Sequence, residues 1–404
     1  MTHPPTQSKP NARNEIRALA LLLPQFHPVA ENNRWWGQGF TEWTNVTRSL
    51  PRFRNHDQPR LPADLGFYDL RLPETRAAQA ALAREYGIHG FCYYHYWFNG
   101  RRILERPFNE VLESGEPDFP FCLCWANENW TRTWSGGDRD VLLEQHYSEA
   151  DDRAHIAALL PALQDPRYIR VDGKPLLLVY RTELLPDPAS TARIWREAAQ
   201  AAGLPGLYLV RVENFERDVD PTSVGFDAAL EFAPDGREMG AKLYRSRLHR
   251  LLARLRLISA APMENDVFAY PAVAAGKMQR PAPAFKRFHC VTPAWDNSAR
   301  RKRNARILVN STPSEYQRWL QHMAARTLDE FRGDERLLFI NAWNEWAEGA
   351  YLEPDQRWGR AYLEATAHAL KHPQRTDLSD PHTGASPFKA LYWRLRERLG
   401  RLLP

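Results

Sequence analysis

LLFINAWNEWAE, residues 337–348, begins as a continuous apolar run and ends in two carboxylates three residues apart. An apolar run without strict alternation indicates a strand covered on both faces, as in a parallel sheet. The polar residues that follow it, Asn344, Glu345 and Glu348, occupy the place where barrel strands present active-site groups. The stretch therefore predicts a buried parallel strand with a candidate site at its carboxyl end.

Seven other short apolar runs precede this one and share its near-continuous hydrophobicity. Segments with helical periodicity lie between most of them, and those at 73–87 and 189–203 each end in a glycine. Strands that alternate with helices in this number predict an α/β fold, a (β/α)8 TIM-type barrel. A doubly wound open sheet is the alternative, although no Gly-x-Gly-x-x-Gly follows the first run. The seven runs are residues 18–23, 90–97, 121–126, 175–180, 207–212, 228–233 and 288–295.

Two long connections interrupt the repeat. The first β-to-α loop, about residues 24–72, is rich in Trp, Asn and Pro. A connection of this length predicts a functional cover over one face of the barrel. Residues 235–286 form the second excursion.

The charge of the chain comes mostly from two arginine-rich segments. The formal net charge is +5, and the arginines concentrate in residues 245–256 and 389–401 without a known nucleic-acid reading motif. We therefore expect no nucleic-acid partner. The aromatic content of 12% instead favours a ligand that packs on ring faces, such as a sugar.

The cysteines and the first residues of the chain predict the cellular compartment of the protein. Cys92, Cys122, Cys124 and Cys290 lack metal-ligand spacing, and we interpret them as small core residues in a reducing compartment. The first residues lack the order of a signal peptide, and no stretch approaches the ~20 apolar residues that span a bilayer. A cytoplasmic protein without metal or cofactor is expected.

Polar and aromatic side chains recur where the predicted strands end. If the fold is a barrel, these ends meet on one face, and the first loop adds an aromatic wall. The simpler interpretation is that polar residues merely begin loops. The candidate substrate-binding residues are Gln25, His27, Trp43, Tyr94, His95, Trp97, Trp125, Asn127, Glu128, Glu231, Trp295, Asp296, Asn344 and Trp346.

Glu345 and Glu348 are the candidate catalytic pair. Cleavage of a glycosidic bond uses two carboxyl groups a few ångströms apart, one of them acting as an acid. Neighbouring like charges beside Trp343 and Trp346 would push the two pKa values apart. Glu128 with Glu345, from different strands, is the rival pair, and a solvated strand end with no catalytic role is the other alternative.

Five long motifs resemble the WbsX-like family, a glycosyltransferase family also described as glycoside hydrolase family 99-like. The resemblance runs from residue 17 to about 372 and is carried by the motifs in their order along the chain. They are LPQFHPVAENNRWWGQGFTEWTNV (23–46), LPADLGFYDLR (61–71), GFCYYHYWFNGRRILERP (90–107), FCLCWANENWTRTW (121–134) and FINAWNEWAEGAYLEPD (339–355).

The likeness to family 99 implies a (β/α)8 barrel that cleaves an α-mannosidic type of bond with retention and without metal. It implies that Glu345 is the base that draws a proton from the 2-hydroxyl of the sugar, and that Glu348 is the acid and then the base. The chain departs from the mannosidases at Ala347, where they typically have His, so the resemblance does not carry over their substrate subsite. The resemblance also implies a surface polysaccharide of O-antigen or capsule type, as in lipopolysaccharide assembly, as the glycan partner.

The expected domain organisation follows from these motifs. Residues 1–15 are predicted to be a disordered tail, 16–372 the catalytic barrel, 373–387 a linker and 388–404 a basic amphipathic helix. The last segment has the pattern of a helix that lies on an anionic membrane surface, and docking onto the barrel is the alternative. Residues 244–257 have a similar pattern and the same two alternatives. Contact with the inner membrane face through 388–404 is the hypothesis.

Three functions remain open from the sequence. The first is a retaining glycosidase acting through paired glutamates. The second is a glycosyltransferase that uses a nucleotide-linked or lipid-linked sugar, and the third is a catalytically silent glycan-binding barrel. The sugar, the linkage and the direction of reaction are not readable from the residues.

Overall fold

A computed structural model describes residues 15–132, 137–255, 257 and 259–378 of the protein. Its parallel strands form a closed eight-stranded barrel. Each strand pairs with the next in chain order, and the last returns to pair with the first, with Ala20 opposite Ile340. The strands are β1 (Arg17–Leu22), β2 (Gly90–Phe98), β3 (Phe121–Trp125), β4 (Lys174–Val179), β5 (Tyr208–Glu213), β6 (Ala228–Glu231), β7 (Arg287–Val291) and β8 (Leu337–Ile340).

The predicted (β/α)8 fold is thus confirmed, since each of the eight apolar runs overlaps one barrel strand. Closure of β8 onto β1 excludes the open sheet. Strand residues such as Leu19, Leu177 and Phe339 are completely buried, which explains why the runs do not alternate. At the start of β2, a Cβ on Gly90 would lie 2.5 Å from the carbonyl oxygen of Pro120, so the close approach of β2 to the next segment needs a glycine.

Helices cover the barrel and its loops. The predicted helices at 73–87 and 189–203 are present as Pro73–Glu85 and Pro188–Ala201, and each begins with a proline in its first turn. The helices of the described residues are α1 (Ala30–Trp36), α2 (Glu42–Arg48), α3 (Pro73–Glu85), α4 (Arg106–Ser114), α5 (Glu149–Gln164), α6 (Pro188–Ala201), α7 (Arg247–Arg254), α8 (Tyr270–Gln279), α9 (Pro313–Glu330) and α10 (Ala361–Lys371).

The two long connections predicted from the sequence lie at the carboxyl ends of the strands. The first carries α1 and α2, and the second carries α7, α8 and a strand, Asp266–Ala269, that pairs in parallel with Arg306–Val309. A hairpin of Trp130–Arg132 with Gly137–Leu143 adds a further wall. These insertions turn one end of the barrel into a deep cavity.

Two expectations concern segments outside this description. The tail 1–15 lies outside it except for Glu15, and the predicted helix 388–404 lies outside it entirely. Within the described residues, no helix is long and apolar enough to cross a membrane. The proposed domain boundaries stay predictions.

Candidate active site

A cavity of about 970 Å³ opens at the carboxyl ends of the strands. Its walls combine aromatic rings with charged groups, as a sugar site requires. Aromatic side chains come from the first loop, from β2, from the hairpin after β3 and from the loops after β4 to β7. These aromatic residues are Trp36, Tyr94, Tyr96, Trp130, Tyr147, Tyr180, Phe215, Phe232 and Trp295.

Glu345 and Glu348 reach the cavity from a tight structure that follows β8. Asn344–Glu345 pairs antiparallel with Ala350–Tyr351, and a short 3-10 turn from Trp346 to Glu348 joins them. Gly349 closes the turn with φ +60, and a Cβ there would lie 3.1 Å from the backbone nitrogen of Asp296. This geometry requires glycine and sets both carboxylates on the cavity side.

Arg300 holds the two glutamates together. Its Nη1 lies 2.7 Å from Oε1 of Glu348, and its Nη2 lies 3.0 Å from Oε2 of Glu345. The same guanidinium lies 3.2 Å from Oε2 of Glu42, which α2 contributes from the first loop. We call these four residues the active-site cluster. It places one cation among three carboxyl groups.

Burial, together with the charges of the cluster, shifts the protonation of its members. Burial raises the pKa of Glu345 to about 8; the charge of Glu348 adds to the rise, and Arg300 opposes it. Burial also raises the pKa of Glu42. Burial disfavours the charge on Arg300, but the carboxylates outweigh it and hold its pKa well above the ordinary value. Near neutral pH the cluster therefore holds a charged arginine and a proton that Glu345 can release.

Six of the residues predicted from the sequence line this cavity: Gln25, Tyr94, Glu128, Trp295, Glu345 and Glu348. Glu128 forms an ion pair with Arg181 in the wall of the cavity. Burial raises the pKa of Glu128, while Arg181 opposes the rise. The rival catalytic partner thus faces the same space as Glu345 and Glu348.

Three candidates support the pair from below the cavity. Asn344 accepts a hydrogen bond from the backbone nitrogen of Leu23 at 2.7 Å and donates one to its carbonyl at 3.0 Å, so it joins β8 to the end of β1. Trp346 stacks on Tyr351 with ring centroids 3.8 Å apart. Trp43 packs against Trp346 at 5.6 Å. None of the three side chains lines the cavity of the described residues.

Glu353 anchors this aromatic layer. Its carboxyl accepts hydrogen bonds from Trp346 at 2.6 Å, Tyr68 at 2.9 Å and Gln79 at 2.7 Å. Burial raises its pKa to about 7, and the neutral donors oppose the rise. The turn that carries the two glutamates is therefore fixed by hydrogen bonds to a buried carboxyl.

The two candidate histidines lie away from the cavity and are uncharged. Burial lowers the pKa of His27 to about 4 and that of His95 to about 3. His95 lies 3.0 Å from His155, whose ring stacks on Trp97 at 4.8 Å. Trp125 packs edge-on against His155 at 4.5 Å. His95, Trp97 and Trp125 thus belong to a buried layer beneath the loops.

The remaining candidates are held by partners within the protein. Asn127 pairs with both backbone groups of Arg181 at 2.8 Å, which fixes the end of β4 beside the end of β3. Asp296 is completely buried and accepts hydrogen bonds from His56 at 2.7 Å and Gln58 at 2.8 Å. It ties the loop after β7 to the first loop.

Glu231 lies in a second group of charges that we call the sealed cluster, with Glu213, Lys277 and Arg280. Nζ of Lys277 lies 3.2 Å from Oε1 of Glu231, and Nη1 of Arg280 lies 3.3 Å from the same oxygen and 2.9 Å from Glu213. Burial opposes the charge on Glu231, but Lys277 and other cations outweigh it and hold its pKa well below the ordinary value. Glu231 is completely buried, so it is a charged structural group.

Sequence reasoning missed the central residue of the site. Arg300 lies in a run of basic residues, 300–303, that has no motif of its own, and Glu42 stands beside Trp43 in the long first loop. Both positions lie far from Glu345 in the chain, and their contacts exist only in the folded barrel. Among the described residues, no group of three or more His, Cys, Asp or Glu side chains could hold a metal ion.

Comparison with known protein families gives a match over most of the chain. The family model described as "Glycosyltransferase WbsX" matches residues 18–366. Relatives called "Uncharacterized protein WxcX" from two strains of Xanthomonas campestris pv. campestris are each 47% identical over 352 residues. The alignment covers 87% of this chain and 49% of each relative. The chain thus spans about half the length of the curated relatives it matches.

Solved structures share the fold. An endo-α-mannosidase of glycoside hydrolase family 99 from Bacteroides thetaiotaomicron has a TM-score of 0.54 at 14% identity, over 91% of this chain and 99% of that one. A structure described as "Glycoside hydrolase-like protein" has a TM-score of 0.53 at 12% identity, over 92% and 98% of the two chains. At such identities the likeness establishes a common barrel architecture.

Proposed function

The chain belongs to the WbsX glycosyltransferase family, as its motifs indicated, and from this premise we propose that it is a carbohydrate-active enzyme acting on glycosidic bonds. The observation that carries the proposal is the active-site cluster. Glu345 and Glu348 share one guanidinium at the base of a cavity walled by aromatic rings. Paired carboxyl groups and ring faces are what glycoside chemistry needs.

The proposed reaction follows the division of roles that the resemblance suggests. Glu345 takes the proton of the 2-hydroxyl, whose oxygen then bonds to the anomeric carbon as the bond to the leaving oxygen breaks. Glu348 gives its proton to the leaving oxygen. In the second half, Glu348 takes a proton from water, whose oxygen opens the three-membered ring, and Glu345 returns its proton to the 2-oxygen. Two inversions give net retention.

The raised pKa of Glu345 predicts how the rate of this scheme depends on pH. Because the pKa of Glu345 is raised to about 8, the group is mostly protonated near neutral pH in the free protein. A base must be deprotonated, so kcat/KM should rise with pH towards about 8 if Glu345 is the base. If Glu345 instead acts as the acid, the rate should fall over the same interval.

Transfer is the second candidate reaction, and the family description favours it. An acceptor hydroxyl would replace water in the second half of the scheme, with Glu348 as its base. The raised pKa of Glu128, which also lines the cavity, supports it as an alternative proton donor. We propose a surface polysaccharide of O-antigen or capsule type as the glycan, and the cytoplasmic side of the inner membrane, reached through 388–404, as its place of action.

The test is incubation of the protein with defined α-mannosides and with nucleotide sugars, read by mass spectrometry. Hydrolysis releases free sugar, and transfer gives a product heavier by one sugar unit. Either product should disappear in Glu345→Gln and in Glu348→Gln, while Glu364→Gln, on α10, should behave as wild type. Full activity in both cluster variants would overturn the assignment. Glycan binding without any product would instead favour the silent binding barrel.

A further inference from the structure

Helix α7 exposes a stripe of leucines beside the cavity. None of its residues is buried, and Leu248, Leu251 and Leu255 are 48%, 53% and 58% exposed. Their spacing of three and four residues puts them on one face of the helix. Folded proteins seldom leave several leucines of one helix face uncovered, so the stripe indicates a docking surface.

The arginines of α7 lie beside the leucines. Arg247, Arg250 and Arg254 are exposed, and the helical repeat puts them on the strip of helix surface next to the leucines. A short helix whose exposed surface joins a stripe of leucines to flanking arginines has the composition of an interfacial helix. Anionic lipid headgroups attract each such arginine, whereas a second copy of this positively charged face would repel it.

The helix is attached directly to the mouth of the cavity. Just before it, Lys242 and Arg245 form salt bridges of 2.7 and 3.2 Å with Asp266, a residue that lines the cavity. The backbone nitrogen of Leu243 donates to the carbonyl of Val267 at 2.7 Å, which fixes the approach to α7. A surface that binds α7 therefore lies next to the cavity opening.

The rim of the cavity on this side carries further positive charge. Arg301 and Arg306 line the cavity, and Lys302 and Arg303 are exposed between them. The strand that contains Arg306 pairs with the strand that contains Asp266, so the rim and the anchor of α7 are adjacent. The leucine stripe is thus bordered by cations both on its own helix and at the rim.

We propose that α7 docks on an anionic lipid bilayer, with its leucines inserted among the acyl chains and its arginines at the headgroups. The cavity mouth then faces the membrane surface. This proposal concerns binding and does not depend on the reaction proposed above. It also does not rest on segment 388–404.

Sedimentation of the full chain with vesicles tests the proposal. We expect binding to vesicles of phosphatidylcholine and phosphatidylglycerol in equal parts, and much weaker binding to phosphatidylcholine alone. The triple variant L248S/L251S/L255S and the triple variant R247Q/R250Q/R254Q should each bind the mixed vesicles roughly 10- to 100-fold more weakly. The matched control L50S/L72S changes exposed leucines elsewhere, 73% and 52% exposed, and should bind as wild type.

Several results would overturn the proposal that α7 docks on a bilayer. Unchanged binding of both α7 variants, or loss of binding only when the arginines of 388–404 are replaced by Gln, would overturn the proposal. A dimer in solution that the leucine variant abolishes, without vesicle binding by the wild type, would also overturn it. Circular dichroism should show the same fold for every variant, because the replaced side chains are exposed.

A labelled variant reports insertion directly. The four native cysteines are buried, so L251C offers an accessible site for an environment-sensitive fluorophore. Its emission should shift to the blue when mixed vesicles are added, and that of L50C should not. A blue shift of neither probe, or an equal shift of both, would contradict insertion through α7.

Discussion

The active-site cluster and the sealed cluster use the same residue types with opposite results. In the first, one arginine serves Glu42, Glu345 and Glu348, and burial raises the pKa of Glu345 to about 8. In the second, Lys277 and Arg280 both contact Glu231, whose pKa is held well below its ordinary value. Burial alone therefore does not decide protonation. The cations around each carboxyl group decide it: Lys277 and Arg287 both lower the pKa of Glu231, whereas Arg300 is shared among the three carboxyl groups of the active-site cluster.

The largest expected effect separates the two clusters by function. Glu348→Gln should lower kcat by roughly 10²- to 10⁴-fold, the usual contribution of a positioned acid or base. Glu231→Gln, in the sealed cluster, should keep the activity of whatever fraction of the protein remains folded. Steady-state rates per folded molecule, with folding checked by circular dichroism, make the comparison. Equal losses in the two variants would remove the functional distinction between the clusters.

A substitution in the sealed cluster should lower the free energy of unfolding more than one in the active-site cluster. Glu231→Gln removes one of the two carboxylates beside the buried ammonium of Lys277, with Glu238 still 2.9 Å away, and should lower the free energy of unfolding by roughly 1–3 kcal/mol. Glu345→Gln should change it far less, because that carboxyl is already largely protonated near neutral pH. Urea unfolding measures both variants. A smaller loss for Glu231→Gln than for Glu345→Gln would contradict this account.

Arg300 tests the role of the single cation. Arg300 lowers the pKa of Glu345, so Arg300→Met should raise that pKa further and move the rising limb of the pH–rate profile to higher pH. At neutral pH the rate should fall roughly 10-fold. Arg300→Lys keeps the charge without the paired nitrogens and should shift the limb less. If the rising limb of the pH–rate profile lies at the same pH in Arg300→Met as in wild type, Glu345 does not govern it.

Glu353 sharpens the comparison, because it is sealed like Glu231 but is bonded to neutral donors. Its pKa is raised to about 7, so the folded state holds a proton that the unfolded state releases at lower pH. Its contribution to stability is full below the unfolded pKa and is lost as pH rises through about 7. Between about pH 5 and about pH 8, wild type should lose roughly 1–3 kcal/mol more than Glu353→Gln. If the free energy of unfolding depends on pH in the same way in wild type and in Glu353→Gln, the raised pKa of Glu353 would be contradicted.

The barrel could be predicted from the sequence because each strand is encoded locally. Runs such as 121–126 and 337–343 are apolar without alternation, and this pattern survives in the structure as strands buried on both sides. Glu345 and Glu348 could be predicted for the same reason, since they follow a strand directly. Their position in the cavity agrees with the prediction, and their catalytic roles stay predictions.

The partners of the site could not be predicted because they depend on contacts across the barrel. Trp43 and Trp346 have the composition of a sugar platform, yet they pack on each other beneath the cavity. His27 and His95 follow or lie within strands, yet burial keeps them neutral. The same residue types serve a ligand or a core, and only the three-dimensional neighbours distinguish the two.

The pairing of Asn344 with Leu23 has a consequence for biosynthesis. It joins the end of the first barrel strand to the segment that follows the last barrel strand, next to Glu345. Glu42, from the start of the chain, likewise meets Arg300 only when the ring is complete. A chain that lacks the last barrel strand therefore cannot form the complete active-site cluster, which exists only after translation has passed that strand. Under the proposed function, a partly synthesised barrel would thus be inactive on glycans.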